Sequence, residues 1–385
     1  MTLTLPPLGP PTLQNEITFY PVKPGETLGD KYQAFVKLGW GQQRRGMEDY
    51  IAKQNPSHMG HAMIRTCLES FEIPHPEDQE AKHLCLVYKP MREPFWLYQR
   101  RFVDETIPLP LIKAYLTQIL GGLDYLHSVC GVAHNGEFSL FVSGSGFGLL
   151  DVGFVDIKLD NILVSFENES IIQEFMDAHL TETMEYKIDS AGRHIFSRHN
   201  DFGFLSSFNE ITSILPTITD FGTAMRLNPG ERGVFPTHPD HYRPPEATLG
   251  CGWDHSGDIW MVGILTWEFI EHTDLFEQYK PNGRYCARHH LAEMSALLGP
   301  PPQELIERSD KMIEKKWPVA VRREEGKFLY EGLIPPRKLE DTVPSLDNEE
   351  KAKFLDFVKG MLAWLPEDKK SAKELMKHPF LNFRK

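Results

Sequence analysis

The first part of the chain carries short apolar runs bounded by turn residues, a pattern typical of β-strands. Residues 31–41 predict a strand that runs into a glycine turn. Residues 63–73 and 83–91 predict a second strand pair, joined by a turn rich in Pro, Asp and Glu. Between the first strand and this pair, residues 47–54 carry a helical signal that ends at an Asn-Pro pair. The pattern therefore predicts a small β-rich region.

From residue 108 onward, apolar positions recur at helical spacing. The first such segment places an apolar stripe on one helix face, formed by Leu111, Ala114, Tyr115, Ile119, Leu123 and Leu126. The same reading applies to three later segments, 258–272, 287–299 and 349–365. A long polar stretch between Asn161 and Asp220 predicts a surface insertion with a short helix of its own. The larger part of the chain is therefore predicted to be mainly helical.

Composition fits a globular protein with two lobes of unequal size. Of the residues, 41% are apolar, as in globular proteins. The length of 385 residues exceeds what one compact core usually fills. There are 41 basic and 54 acidic residues, so the net charge is −13. An acidic surface repels phosphate backbones and lipid headgroups. We therefore expect a basic protein or peptide as partner, with no direct binding of nucleic acid or membranes.

The five cysteines form no CxxC pair and have no metal-ligand spacing, which indicates a reducing compartment. The first 16 residues are Pro-rich and lack the basic start and apolar run of a signal peptide. The best membrane candidate, residues 139–155, is shorter than a spanning helix and contains Asp151. We expect a cytoplasmic or nuclear location.

The strongest chemical signal is the segment VDIKLDNILV, which places Asp156, Lys158 and Asn161 directly before an apolar strand. Phosphoryl transfer needs a carboxylate that accepts the substrate's hydroxyl proton, a cation near the phosphoryl group and an amide oxygen on a metal ion. The later segment ITDFG adds Asp220 at a predicted strand end, followed by a permissive glycine. Such a carboxylate suits a second metal contact.

Three further segments follow in order: HYRPPE, GDIW and WLPEDKKSAKELMKHPF. In this order and spacing, the whole set resembles a eukaryotic protein kinase. The segments NPSHMGHAMIRTCLESFEI, LVYKPMREPFWLY and HLAEMSALLGPPP, with the long spacer before ITDFG, are similar to the SR-protein kinase group and its fungal relatives. The similarity runs from about residue 19 to residue 383.

The resemblance implies an α+β, bilobal protein-kinase-like fold with a small β-rich N-lobe and a larger, mainly helical C-lobe. It divides the chain into a Pro-rich tail at 1–18, an N-lobe and hinge at 19–91 and a C-lobe at 92–385. The C-lobe would carry insertions at 135–155 and at about 165–215.

The same resemblance assigns the phosphoryl-transfer residues. Asp156 is then the catalytic base and Lys158 contacts the phosphoryl group, while Asn161 and Asp220 hold Mg²⁺. The implied activity is transfer of the ATP γ-phosphate to Ser or Thr hydroxyls of protein substrates, Arg/Ser-rich ones in particular.

Binding of ATP is assigned to the glycine turn and to the hinge, with Gly39, Gly41, Lys89 and Met91 as the contact residues and Tyr88 as gatekeeper. In the C-lobe, Glu246 is expected to pair with Lys369, where the family usually places Arg. Asp258 is expected to brace the backbone of the catalytic loop.

Several similar features have a simpler interpretation. The segment NDFG at 200–203 repeats the metal-binding tripeptide, but it lies in a polar stretch and no activation segment follows it, so we prefer Asp220. Lys53 is read as a solvated helix lysine. His238 and His241 are read as surface residues of the activation segment and not as metal ligands.

The N-lobe departs from the family pattern after its glycine turn. Only 47 residues separate Gly41 from Lys89, too few for the usual two strands and helix, so the phosphate-binding lysine has no counterpart. The glutamate expected on the helix aligns with Gly46, and Glu48 is the nearest substitute.

The catalytic loop is also divided. After His134, the 21 residues 135–155 precede Asp156, where the family pattern has one residue. One hypothesis is a faulty gene model, with an exon missing after Gly41 and an intron retained after His134; sequencing the mature transcript tests it. The other is a genuine degenerate kinase. As function, a pseudokinase or scaffold that has lost phosphate anchoring therefore stands as the alternative to an active kinase.

Overall fold

The structure is a computed structural model of the 385-residue chain. It describes residues 20, 22–35, 45–75, 82–134, 158–179, 184–188, 194–197, 201–205, 207–233, 238–277, 279–313 and 328–382. Three of the predicted site residues, Asp156, Gly39 and Gly41, lie outside these ranges, as does the insertion at 135–155.

The α-helices of the described residues are α1 (Arg45–Ala52), α2 (Phe95–Gln99), α3 (Leu109–Asp124), α4 (Ser170–His179), α5 (Phe208–Ser213), α6 (Pro245–Thr248), α7 (Ser256–Ile270), α8 (Ala287–Leu298), α9 (Gln303–Ile313), α10 (Asn348–Lys359) and α11 (Ala372–Leu375). The strands are β1 (Thr27–Leu28), β2 (Tyr32–Gln33), β3 (Glu69–Pro74), β4 (Lys82–Val87), β5 (Glu93–Pro94), β6 (Val132–Ala133), β7 (Ile162–Val164), β8 (Tyr186–Ile188), β9 (His194–Phe196), β10 (Pro216–Ile218) and β11 (Met225–Arg226).

Two compact units divide the chain. Unit 1 comprises the described residues of Met1–Gly41, Cys67–Lys89 and Asn168–Gly203, and unit 2 those of Gln42–Thr66, Pro90–Glu167 and Phe204–Lys385. Unit 2 thus contains α1, which the sequence division had placed in the N-lobe, and unit 1 contains part of the spacer.

Unit 1 is built from short antiparallel hairpins. β3 pairs with β4 in the register Glu69↔Val87 to Pro74↔Lys82, as the strand pair in the sequence predicts. The ring of Tyr32 stacks on Phe71 at 5.5 Å, which fastens β2 to this hairpin. Such cross-strand aromatic contacts are a main source of stability in small sheets.

Unit 2 holds the hydrophobic core, with α3 and α7 at its centre. Leu116, Leu120 and Leu123 of α3 are fully buried, as are Trp260 and Met261 of α7. Two tyrosines that pack near this core satisfy their hydroxyls nearby, since burying an unpaired hydroxyl is costly. The hydroxyl of Tyr125 donates to the carbonyl of Ile51 at 2.6 Å, and that of Tyr50 donates to the carbonyl of Cys130 at 2.8 Å. These bonds hold α1 to the segment that follows α3.

Two predicted elements have different bounds. The strand predicted over 63–73 is wrong in its first half, because Met59–Met63 is a 3₁₀ helix and Ile64 makes only an isolated bridge to Ile218. The helix predicted over 349–365 ends at Lys359, and Gly360 follows.

No helix among the described residues is both long and apolar enough to cross a membrane.

The contact between this 3₁₀ helix and α3 yields a test of packing. Gly60 is buried, and a Cβ atom added there would collide with the backbone carbonyl of Gly121. Gly60→Ala should therefore lower the free energy of unfolding by about 1–3 kcal/mol, measured by urea denaturation. Gly46→Ala is the matched control, because Gly46 has open space around its Cα. A loss of stability in the control that equals the loss in Gly60→Ala would contradict this packing.

Candidate active site

The antiparallel pairing of β7 with β10 brings two predicted metal ligands to one end of this strand pair. Ile162 lies opposite Ile218 in this antiparallel pair, so Asn161 and Asp220 both lie just beyond the same end. Thr219 fixes the spacing, since its backbone N–H donates to the carbonyl of Asn161 at 2.9 Å and its hydroxyl donates to the same oxygen at 3.2 Å. The strand register and these two bonds thereby hold together residues that are far apart in the sequence.

Asp220 adopts an uncommon backbone conformation. Its φ is +65°, in the left-handed region that few non-glycine residues occupy. The carboxylate accepts a hydrogen bond from the backbone N–H of Gly222 at 3.3 Å, which is a local compensation that Asp side chains provide. Backbone strain of this kind is often found where a side chain must point at a ligand.

Burial raises the pKa of the Asp220 carboxyl group, opposed by nearby His134, by the Gly222 hydrogen bond and by Lys158. A buried carboxylate of this kind is stabilised by a cation. Asn161 is 9% exposed, and the backbone N–H of Asn161 donates to the carbonyl of Lys158 at 2.9 Å. The Lys158 ammonium lies 3.8 Å from the carboxylate of Asp160.

A second buried carboxylate, Asp258 on α7, braces the start of the catalytic loop. Its Oδ2 accepts the backbone N–H of His134 at 2.9 Å and contacts Nε2 of His127 at 2.8 Å. Burial would raise the pKa of Asp258, but the bonds from His127 and His134 outweigh it and hold the pKa below its ordinary value. The bracing role predicted for Asp258 is confirmed at the backbone of His134.

The ring of His134 extends this network to the β7–β10 strand pair. His134 is fully buried, and its Nε2 lies 2.9 Å from the carbonyl oxygen of Thr219, the residue before Asp220. Its ring also contacts Phe221 edge-on at 5.1 Å. Burial lowers the pKa of His134, so the ring is neutral and donates to Thr219. No motif or spacing in the sequence indicated this link.

A buried ion pair joins α6 to the end of the chain. The Lys369 ammonium donates to Oε1 of Glu246 at 2.6 Å, and both side chains are fully buried. Burial raises the pKa of Glu246 and lowers that of Lys369, and the contact between them opposes both shifts. The predicted pair is therefore confirmed, with the lysine also over the Trp260 ring at 5.3 Å.

The predicted hinge residues fall on two units. Lys89 is the last residue of its segment in unit 1, and Met91 belongs to unit 2. Met91 precedes Arg92, whose buried guanidinium donates to Glu167 at 2.7 Å. The assignment of Lys89 and Met91 to ATP binding stays a prediction, as do those of Asp156, Gly39 and Gly41.

The repeated Asp-Phe-Gly tripeptide belongs to unit 1. Phe202 is buried against Phe175 of α4, with ring centroids 4.6 Å apart, whereas Asp201 is exposed. It has no partner strand equivalent to β7 among the described residues. This context supports Asp220 as the metal-binding carboxylate.

One expectation about the activation segment is wrong. His238 is not a surface residue, because it is fully buried and packs edge-on against Trp253 at 5.3 Å. Neither ring nitrogen has a hydrogen-bond partner among the described residues. Burial lowers the pKa of His238 to about 3.

The chain matches known protein kinases in sequence and fold. The protein kinase domain family matches residues 207–381. A serine/threonine protein kinase of Aspergillus fumigatus is 31% identical over 393 residues, covering 94% of this chain and 87% of the relative. The serine/threonine-protein kinase SRPK of Physarum polycephalum is 24% identical over 421 residues, covering 94% of this chain and 88% of the relative.

A crystal structure of a kinase domain aligns with a TM-score of 0.61 at 19% identity, covering 95% of this chain and all of that chain, which shows the fold. The chain therefore belongs to the eukaryotic protein kinase family. It is a serine/threonine protein kinase by these relatives, and the predicted resemblance to SR-protein kinases is confirmed. This family implies ATP as the phosphoryl donor.

Breaking the buried ion pair should strongly destabilise unit 2. Lys369→Met leaves Glu246 without its counter-charge, and the loss of unfolding free energy should be about 3–5 kcal/mol. The double variant Glu246→Gln with Lys369→Met should lose less than the sum of the two single variants. Lys370→Met, at the exposed neighbouring lysine, should change stability by about 0.5 kcal/mol or less. Additive losses in the double variant would contradict a direct pair.

The buried His238 should make the fold sensitive to acid. Its folded pKa is below the ordinary value of 6.5, so the unfolded chain binds a proton that the folded chain refuses, and stability falls as pH drops below 6.5. His238→Gln removes this contribution. Between pH 6.5 and pH 4, wild type should lose roughly 1 kcal/mol more per pH unit than the variant, measured by urea denaturation at each pH. Parallel pH profiles of wild type and variant would show that the pKa of His238 is the same in the folded and unfolded chain, and would contradict this prediction.

Proposed function

We propose that this kinase phosphorylates Ser or Thr in basic, Arg/Ser-rich proteins, with Asp156 as catalytic base and Lys158 at the transferred phosphoryl group. The observation that carries the proposal is the β7–β10 strand pair, which holds Asn161 and Asp220 at one end. Lys158 lies on the turn directly before Asn161. A kinase needs these groups in one place, because its catalysis is mostly positioning and electrostatic stabilisation.

The residues present fit a Mg²⁺ ion. The amide oxygen of Asn161 and the carboxylate of Asp220 are hard oxygen donors of the kind that Mg²⁺ prefers. Burial raises the pKa of Asp220 further than His134, the Gly222 hydrogen bond and Lys158 lower it, and a bound dication would favour the ionised carboxylate. Bound there, Mg²⁺ would neutralise phosphate charge on ATP. The protein's own contribution is to fix Asp220 through Thr219 and His134 and to keep the Lys158 cation nearby.

Two observations support a basic substrate. The net charge of −13 attracts cationic chains over a distance. The relatives include an SRPK, and the long spacer before ITDFG resembles the same group. A cytoplasmic or nuclear location accords with this proposal and is part of it.

A pseudokinase or scaffold is the second candidate. Two departures from the family pattern favour it. The sequence has no counterpart of the phosphate-binding lysine, and Gly46 stands where the helix glutamate is expected. Glu48, the nearest substitute, is buried within unit 2. Such a chain would retain the helical fold and bind partners without turnover.

Substitution of the two Asp-Phe-Gly aspartates separates the true metal ligand from its copy. With Mg²⁺-ATP and an Arg/Ser peptide, Asp220→Asn should reduce the rate of phosphate transfer at least ~100-fold, because a carboxylate on the metal is lost. Asp201→Asn, the matched control, should retain wild-type activity. Asp156→Asn should be as inactive as Asp220→Asn.

Three results decide the proposal. Equal losses in Asp201→Asn and Asp220→Asn would reject the site assignment. Activity on acidic peptides in preference to Arg/Ser peptides would reject the substrate class. A wild-type chain that folds but neither transfers phosphate nor binds Mg²⁺-ATP, together with an equally silent variant lacking residues 135–155, would reject the kinase activity of this chain and favour the pseudokinase.

A further inference from the structure

A second cluster of metal-ligating side chains lies in unit 2, apart from Asn161 and Asp220. It consists of His241, from the 3₁₀ turn Asp240–Tyr242, Glu268 on α7, and Asp274 beyond the end of α7. One ligand atom from each of the three side chains lies within 4.8 Å of the others. The Nε2 atom of His241 is 3.7 Å from Oδ1 of Asp274. None of the three is assigned to phosphoryl transfer, and the cluster departs from the sequence-based reading of His241 as a surface residue that is not a metal ligand.

The Glu268 carboxylate is the strongest indication of a missing ligand. Its Oε1 atom is buried and has no hydrogen-bond partner among the described residues. A buried carboxylate without a partner is costly, and native structures usually satisfy such a group with a hydrogen bond, water or an ion.

The two lysines nearest this cluster each lie beside another carboxylate. Lys280 and Lys158 influence His241, but Lys280 is 3.7 Å from Asp240, and Lys158 is 3.8 Å from Asp160. Both lysines therefore have carboxylates of their own.

We propose that His241, Glu268 and Asp274 bind a divalent transition-metal ion of the zinc type. One imidazole nitrogen and two carboxylate oxygens supply three protein ligands, which is the number found in zinc sites that keep an open position. The nitrogen donor favours zinc over magnesium, whose sites are built from oxygens. The site is therefore distinct in chemistry from the Mg²⁺ ligands proposed above, and it stands whether or not that function does.

Binding there would tie three segments together. The turn that carries His241 lies shortly before α6 and its buried Glu246, while Glu268 and Asp274 lie on α7 and the loop after it. A metal that binds only the folded chain stabilises it by mass action. Zn²⁺ should thus raise the melting temperature of unit 2 without any nucleotide.

The experiment uses the full chain, freed of metal by a chelator, and two probes. Titration with Zn²⁺ is followed by thermal unfolding, and titration with Co²⁺ by visible absorption, since Co²⁺ reports its ligands through its d–d bands. His241→Gln, Glu268→Gln and Asp274→Asn should each remove one tight equivalent of Co²⁺ and weaken its affinity at least ~10-fold. The same variants should abolish the Zn²⁺-dependent rise in melting temperature.

Two matched variants control for general electrostatic attraction and for a competing thiol. Asp240→Asn removes the same charge beside His241 without removing a ligand, and it should keep the tight equivalent. Cys286→Ser removes the thiol, because the Cys286 Sγ is 3.0 Å from Nδ1 of His289 and the two could bind a metal together. It too should keep the tight equivalent and should not alter the Co²⁺ spectrum.

Each outcome supports or overturns the site. Loss of the Co²⁺ equivalent in Cys286→Ser but not in His241→Gln would overturn the proposal in favour of the thiol pair. Equal weakening in Asp240→Asn and Asp274→Asn would show general electrostatic attraction and would also overturn it. If Glu268→Gln fails to fold, His241→Gln alone decides, since that side chain is partly exposed.

Discussion

The buried carboxylate of Asp258 is the interaction on which the site depends. It accepts hydrogen bonds from the His134 backbone and from His127, near the end of α3, and so joins α7 to the loop that begins the catalytic region. From His134 the chain of contacts runs through the carbonyl of Thr219 to Asp220. An unpaired charge at Asp258 would be very costly, so the network holds as a unit. Asp220, a predicted metal ligand, is therefore positioned through contacts that lead back to the helical core.

Much of the fold could be predicted from the sequence because the relevant signals are local. The apolar stripe of α3, the helix in the spacer and the β3–β4 hairpin depend on periodicity and turn residues within a few positions. The Glu246–Lys369 pair and the bracing role of Asp258 came from a family resemblance and were confirmed by direct contacts. The alignment of Asn161 with Asp220 required only that two strands pair in register.

The features that could not be predicted from the sequence depend on contacts between distant segments. His134 reaches Thr219 through its ring, and His238 is buried against Trp253, yet a histidine before an insertion or in an activation segment gives no local sign of burial. The cluster of His241, Glu268 and Asp274 has no motif spacing, because α7 and its following loop bring it together. The predicted strand over 63–73 begins only at Glu69, because the segment before it is a 3₁₀ helix, Met59–Met63, that packs closely against α3 through Gly60.

The repeated Asp-Phe-Gly tripeptide separates local shape from chemical competence. In both copies the aspartate side chain accepts the backbone N–H of the glycine, at 3.1 Å in the spacer copy and at 3.3 Å in the other. The two copies share this hydrogen bond but not the backbone conformation, because φ is positive at Asp220 in one copy and at Gly203 in the other. A mutation that creates such a turn adds no catalyst by itself; a copy becomes useful only when a paired strand delivers an amide beside it. In this chain the tripeptide alone does not distinguish its two copies, whereas the strand paired beside Asp220 does.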